Sequence, residues 1–177
     1  MIIRGKAWTS RAYVMSFDMV VQRFWTSPID KTENAKFIMA GVDAKYDKEN
    51  AFKDEGYTFI VAAHNFAGGG KSIEHCVTGL MGAGIRAVFA DSFARLQFRN
   101  AINYGLPFVT APSVIDMVET GDELEYNLDT CELKNLTNGK SMTTAPVAPF
   151  VAEVAEAGGL LDFIRKKIAD GTVADLR

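Results

Sequence analysis

Tyr57-Thr58-Phe59-Ile60-Val61-Ala62-Ala63, then Gly68-Gly69-Gly70-Lys71-Ser72, then Ile85-Arg86-Ala87-Val88-Phe89-Ala90 are the pieces whose order decides the architecture. The first and third are continuous apolar runs of strand length, as expected of strands buried on both faces. Between them, Ser72 to Ala83 has the length and apolar content of a helix, and Gly84 ends it. Strand, loop, helix, strand is a βαβ unit, so its strands are expected to run parallel.

Downstream, Asp91 or Ser92 stands where it can cap a helix running to about Tyr104, with Gly105 as its stop. Leu106 to Ala111 reads as a third buried strand, and Pro112 to Thr120 as a short helix. Glu123 to Leu128 and Cys131 to Leu136 alternate polar with apolar, predicting an antiparallel hairpin across Asp129-Thr130. Asn138-Gly139 then turns the chain into Ser141 to Thr144. Phe150 to Asp170 holds two helical pieces broken by Gly158-Gly159.

Upstream the pattern weakens. Ile2 to Trp8 suits a short strand, and Tyr13 to Phe24, with Met15, Phe17, Met19 and Val21 alternating, suits another strand or an extended loop. Lys31 to Ala40 reads as a helix, and Gly41 to Gly56 as a polar surface connection. No repeat, low-complexity tract or proline-rich linker divides the chain. Residues 1–177 therefore read as a single α/β domain: a parallel βαβ core with an antiparallel C-terminal meander.

The chain carries 19 Lys and Arg against 22 Asp and Glu, a net charge of −3, with neither sign gathered into a run. That gives no electrostatic footprint for a nucleic acid or an acidic membrane. No stretch approaches the ~20 apolar residues that cross a bilayer, and Met1 to Trp8 lacks a secretory apolar core. A soluble, cytoplasmic protein is expected. Cys76 and Cys131 are too few for a disulfide framework and too far apart to hold a metal or an iron–sulfur cluster alone.

Three consecutive glycines between a buried strand and a helix let a ligand approach the backbone closely, and the following helix start favours a negative group. A small anion is the natural guest; a loop tuned only for tight packing is the plain alternative. Gly70-Lys71-Ser72 also matches the end of the nucleotide-binding pattern G-x-x-x-x-G-K-[ST], with Asp91 closing the next strand like a magnesium ligand. Against it, Asn65 occupies the first glycine's position, and the tail is a meander where more parallel strands are needed.

A longer stretch carries a closer likeness. Asn65-Phe66, Gly68, Gly70, Ser72 and Glu74-His75, followed by Ser92-Phe93-Ala94-Arg95, Asn100 and Gly105-Leu106-Pro107, resemble the small subunit of 3-isopropylmalate dehydratase, a free-standing relative of aconitase's swivelling domain. Gly121-Asp122-Glu123, Asn135 to Lys140 and Ala157 to Leu160 follow in that family's order, so the resemblance runs from Tyr57 to about Lys167. It implies a swivelling β/β/α domain. It also implies a partner large subunit carrying a [4Fe-4S] cluster, a small hydroxy-acid substrate, and water lost or added across a carbon–carbon double bond, as in leucine biosynthesis.

The family's loop reads Gly-x-Gly-Ser-Ser-Arg-Glu-His, its first serine a base and its arginine a carboxylate clamp. Here Lys71 takes the base position and Ile73 the clamp position, with Ser72 at the second serine. Lys71 and Ser72 are thus the candidate catalytic residues. Gly69, Gly70 and Ile73 are candidate substrate contacts, Ile73 suiting an apolar group where a fork would hold a carboxylate. Lys71 is either a proton acceptor, an anion binder or a solvated surface lysine. Near the N-terminus, Asp18 corresponds to an acidic stretch of the family's site, and Arg23 stands where a relocated carboxylate binder would.

His64 is expected to be a packed, hydrogen-bonded histidine, Glu74 and His75 to support the fold, and Cys76 to be buried and inert. Arg95 and Arg99 are expected to brace neighbouring loops or a partner interface. Three functions remain open: the small subunit of a two-subunit hydro-lyase, a non-catalytic regulatory or binding paralogue of it, and a nucleotide-binding domain.

Overall fold

The structure, a computed structural model, describes residues 1–172. Its elements are β1 (Ile2–Ser10), α1 (Ser16–Met19), α2 (Lys31–Ala35), α3 (Ala51–Asp54), β2 (Tyr57–Ala62), α4 (Glu74–Gly82), β3 (Ala87–Ala90), α5 (Arg95–Tyr104) and β4 (Phe108–Thr110). They continue with β5 (Glu123–Asn127), β6 (Glu132–Asn135), β7 (Ser141–Thr143), α6 (Pro149–Ala157) and α7 (Leu160–Ala169). The seven strands form one sheet in the order β4-β3-β2-β1-β5-β6-β7. The apolar runs occupy its middle: β2 pairs in parallel with β1 and β3, and β3 with β4. β1 joins the two halves, pairing antiparallel on its other edge with β5, the first strand of the meander.

Alternation along the central strands feeds two cores. Ile60 and Ala62 of β2 and Val88 and Ala90 of β3 face Ala35 of α2, Cys76, Val77 and Leu80 of α4, and Ala101 of α5. Phe59, Val61, Ala87 and Phe89 face the other way and meet Leu124, Tyr126 and Leu133 of the meander, with Val114 and Val118. Phe89 and Tyr126 lie three strands apart in the sheet, about 14 Å were it flat, yet their ring centroids are 4.9 Å apart, edge to face. The sheet is therefore curled, and the meander closes the face that no helix covers. This mixed α/β sheet is the predicted parallel core with its antiparallel tail.

β2, α4, β3, the meander and the α6/α7 break lie within two residues of their expected bounds. Elsewhere the structure corrects the reading. Tyr13 to Phe24 forms no strand; it folds into α1 and a 3-10 turn over Gln22–Phe24, burying Val14, Ser16 and Met19. α2 ends at Ala35, short of Ala40, because the chain turns back so that Met39 N–H donates to Met19 O. Residues 41–56 are no surface connection: Tyr46 and Phe52 are buried, packed edge to face at 5.0 Å, with Trp8 against Phe52 at 6.0 Å.

Neither Asp91 nor Ser92 caps α5. The Asp91 carboxylate accepts from Ser113 N–H at 2.6 Å and the Ser92 Oγ from Asn65 N–H at 2.8 Å, so α5 begins after Ala94 with no side-chain cap. Pro112 to Thr120 contains only a 3-10 turn, Val114–Asp116. Among the described residues no helix is long and apolar enough to cross a membrane.

Candidate active site

The glycine loop connects β2 to α4 and is stitched to both neighbours. Ser16 donates to Gly68 O through its N–H (2.9 Å) and its hydroxyl (2.8 Å), and Gly68 N–H donates to Val14 O at 3.2 Å. On the other side, Phe66 N–H donates to Ser92 O and Ala94 N–H to Phe66 O, each at 3.0 Å. Between these anchors Gly69 and Gly70 take φ of 102° and 73°, which favour glycine. At Gly68 the constraint is space: a Cβ there would run into the Tyr13 hydroxyl, which accepts from Asn65 Nδ2 at 3.1 Å.

A cleft of about 460 Å³ opens above the loop, walled by Asn65 and Gly68 to Lys71 on one side and by Ala94 to Leu96 on the other. Among the described residues no carboxylate lines it. The N–H groups of Gly69, Gly70 and Lys71 donate to no other group among the described residues. Lys71 is exposed, its Nζ 5.5 Å from the centroid of the Phe17 ring, within cation–π range. Phe17 stacks on Trp25 (6.4 Å) and Trp25 on His75 (5.5 Å). His75 Nε2 lies 2.9 Å from Thr26 O, which can only accept, so this nitrogen carries the proton.

Ser72 Oγ donates to Asn100 Oδ1 at 3.1 Å, Asn100 Nδ2 to Gln97 Oε1 at 3.4 Å, and Gln97 Nε2 to Lys71 O at 3.2 Å. Gln97 and Asn100 are buried. This amide chain on α5 holds the loop from beneath, and the sequence reading gave neither residue a role. The available signal was two amides three apart, a spacing that puts them on one face of a helix, between Arg95 and Asn103.

The remaining candidates do not gather here. Ile73 is 3% exposed and packs in the core with Cys76 and Val77, so it is not on the cleft; its extended backbone at the start of α4 turns the side chain inward. Asp18 lines a different hollow, about 420 Å³, between β1 and residues 41–45. Arg23 pairs with Asp47 at 2.6 Å and lies over Phe24, on the surface. His64, two residues past the end of β2, is exposed, contrary to the packed position expected of it.

Glu74 accepts from Tyr104 Oη at 2.7 Å; burial first, then this carboxylate, pushes the Tyr104 phenol up to about 12. Cys76 donates to Ser16 O at 3.0 Å, and burial pushes its thiol up to about 12. A thiol so held protonated is a poor metal ligand. Among the described residues no three His, Cys, Asp or Glu gather as a metal site. The chain's donor set does not fit an iron–sulfur cluster.

A curled α/β sheet carrying a glycine loop at the end of β2 defines an aconitase-type C-terminal domain, and the sequence profile described as the aconitase C-terminal domain matches residues 19–113. The isopropylmalate/citramalate isomerase small subunit of Methanocaldococcus jannaschii is 41% identical over 171 residues, 96% of this chain and 97% of that one. The 3-isopropylmalate dehydratase small subunit of Thermodesulfovibrio yellowstonii is 36% identical over 96% of this chain and 97% of its own. A crystal structure of 3-isopropylmalate dehydratase from Methanocaldococcus jannaschii superposes with a TM-score of 0.84 at 31% identity, covering 97% of this chain and 98% of that one. The chain belongs to the family of 3-isopropylmalate dehydratase small subunits, which are hydro-lyase subunits. The nucleotide-binding reading falls with that assignment, and Asp91, its would-be magnesium ligand, is committed to Ser113.

Proposed function

We propose that this chain is the small subunit of a two-subunit, cytoplasmic hydro-lyase that removes water from, or adds it to, a small hydroxy acid, and that the glycine-loop cleft binds the acid. The observation that carries the reading is the cleft itself: Lys71 and Arg95 line it together with Gly69 and Gly70, whose N–H groups are uncommitted among the described residues, and no carboxylate of the described residues lines it. The names of the relatives support a heteromer, and two free thiols suit a reducing compartment. The [4Fe-4S] cluster belongs to the large subunit in this reading; when bound it supplies Lewis-acid chemistry.

This chain's part is to bind and orient. Gly69 and Gly70 bring the backbone within reach of the substrate, and their N–H groups with the Lys71 amine take a carboxylate. The exposed position of Lys71 over Phe17 favours anion binding over proton abstraction among the roles open to it. Ser72, its proton given to Asn100, presents oxygen lone pairs to a substrate hydroxyl.

Combining the chain anaerobically with its large subunit and following carbon–carbon double-bond absorbance tests this. Turnover of a small hydroxy acid is expected. An assembled, cluster-loaded complex silent toward all of them would sink it. Turnover indifferent to Lys71→Ala and Ser72→Ala would favour the regulatory paralogue.

A further inference from the structure

We propose that Arg95 is the residue that grips a carboxylate in this cleft, reaching from the first position of α5 instead of from the glycine loop; the proposal rests on the small-acid reading above. Arg4, Arg11, Arg23 and Arg165 pair with the carboxylates of Glu125, Glu119, Asp47 and Asp162, whereas Arg86, Arg95 and Arg99 have no ion pair among the described residues, and of these three Arg95 alone lines the cleft. Arg95 has no acidic partner among the described residues, and it lines the cleft across from the glycine loop and Lys71. Two cations on one cleft with no acid of the described residues between them repel each other, and an anion bound between them turns that repulsion into attraction.

The position sharpens the point. A cation in the first turn of a helix opposes the helix dipole, and α5 has no acidic residue in that turn to offset it. Among the described residues the side chain takes part in no hydrogen bond, ion pair or cation–π contact, which leaves its guanidinium available to a group from outside. A guanidinium fork holds a carboxylate through two parallel N–H···O bonds, which a lysine amine cannot do. Ile73 offers nothing of the kind, being buried in the core.

The frame between the two cations is fixed. Ala94 N–H donates to Phe66 O, and Gln97 Nε2 to Lys71 O, so the start of α5 and the glycine loop form one hydrogen-bonded unit. The cleft therefore presents two anion-binding groups from one hydrogen-bonded frame, Lys71 with the loop N–H groups for one carboxylate and Arg95 for a second. It selects a small diacid over its monoacid counterpart.

Steady-state kinetics of the assembled complex test this, using a diacid substrate and its half-amide, which lacks the second carboxylate. Arg95→Gln should raise KM for the diacid about ten- to hundredfold with little change in kcat, leave the half-amide's KM unmoved, and be partly rescued by Arg95→Lys. Arg99→Gln, one turn further along α5, serves as the control and should match wild type. An unchanged diacid KM, or an equal rise for both substrates, overturns the proposal. If the wild-type complex proves silent, the isolated full chain is titrated with malonate at constant ionic strength and its amide resonances are followed. Shifts at Gly69 to Lys71 that vanish in Arg95→Gln uphold Arg95 while the hydro-lyase reading fails. Wild-type resonances that stay still overturn Arg95 as well.

Discussion

The Ser72 hydroxyl donates to the Asn100 side-chain oxygen across 3.1 Å, tying the glycine loop to the second turn of α5. Behind it the buried Gln97 amide closes the chain back to the Lys71 carbonyl. Asn100→Ala leaves the Gln97 oxygen without its donor in a dry site, which costs about 1–3 kcal/mol. Urea unfolding of the chain should show that loss, and turnover of the complex should fall because Ser72 loses its orientation. A variant as stable and as active as wild type would show that the loop is held elsewhere.

Gly68 and Gly70 should respond to alanine for different reasons. At Gly68 the methyl group meets Tyr13, so Gly68→Ala should cost about 1–3 kcal/mol through overpacking. Adding Tyr13→Ala should return much of it. At Gly70 the space is open but φ is 73°, so alanine costs about 1 kcal/mol of backbone strain and no second change relieves it. Unfolding midpoints of the two singles and the double distinguish these outcomes.

Alkaline pH should weaken the fold in a defined window. Burial pushes the Cys76 thiol up to about 12, and burial with Glu74 beside it does the same for Tyr104. Both groups stay protonated in the folded chain at pH values where the unfolded chain has released its protons. Their stabilisation is therefore complete below the ordinary thiol and phenol values and is lost as pH rises toward 12. Urea midpoints should fall from pH 9 upward, and Cys76→Ala should flatten the onset. At pH 8 a thiol reagent should label Cys131 readily and Cys76 only after unfolding; equal labelling of both would contradict the burial.

Much of the fold could be read in advance because its central strands and the helix after the glycine loop are long enough to show a period. Residues 13–56 could not, since they fold as single turns of helix too short to show a period, and a buried residue such as Tyr46 stands between the charged Lys45 and Asp47. Asp91 and Ser92 misled because a short polar side chain before a helix can equally well accept a hydrogen bond from elsewhere, as both do here. The loop was legible as a glycine-rich connection between a buried strand and a helix. Ile73 was not legible as core, because one apolar residue before a helix carries no periodicity, and Asp18 and Arg23 were placed by likeness alone.

The aromatic ladder beneath Lys71 makes a milder prediction. Phe17→Leu removes the ring under the amine, a contact worth about 0.5–1 kcal/mol at an exposed site. KM should rise roughly two- to fivefold with kcat nearly constant. A change confined to kcat would mean that Phe17 serves the chemistry and not the hold on Lys71.

The amine of Lys71 as the anion-binding group of a hydro-lyase cleft is tested most directly by kcat/KM of the assembled complex carrying Lys71→Ala beside Lys71→Arg. The alanine variant should lose roughly ten- to hundredfold and the arginine variant, which keeps a cation over Phe17, should stay within a few-fold of wild type. An alanine variant indistinguishable from wild type would contradict the account.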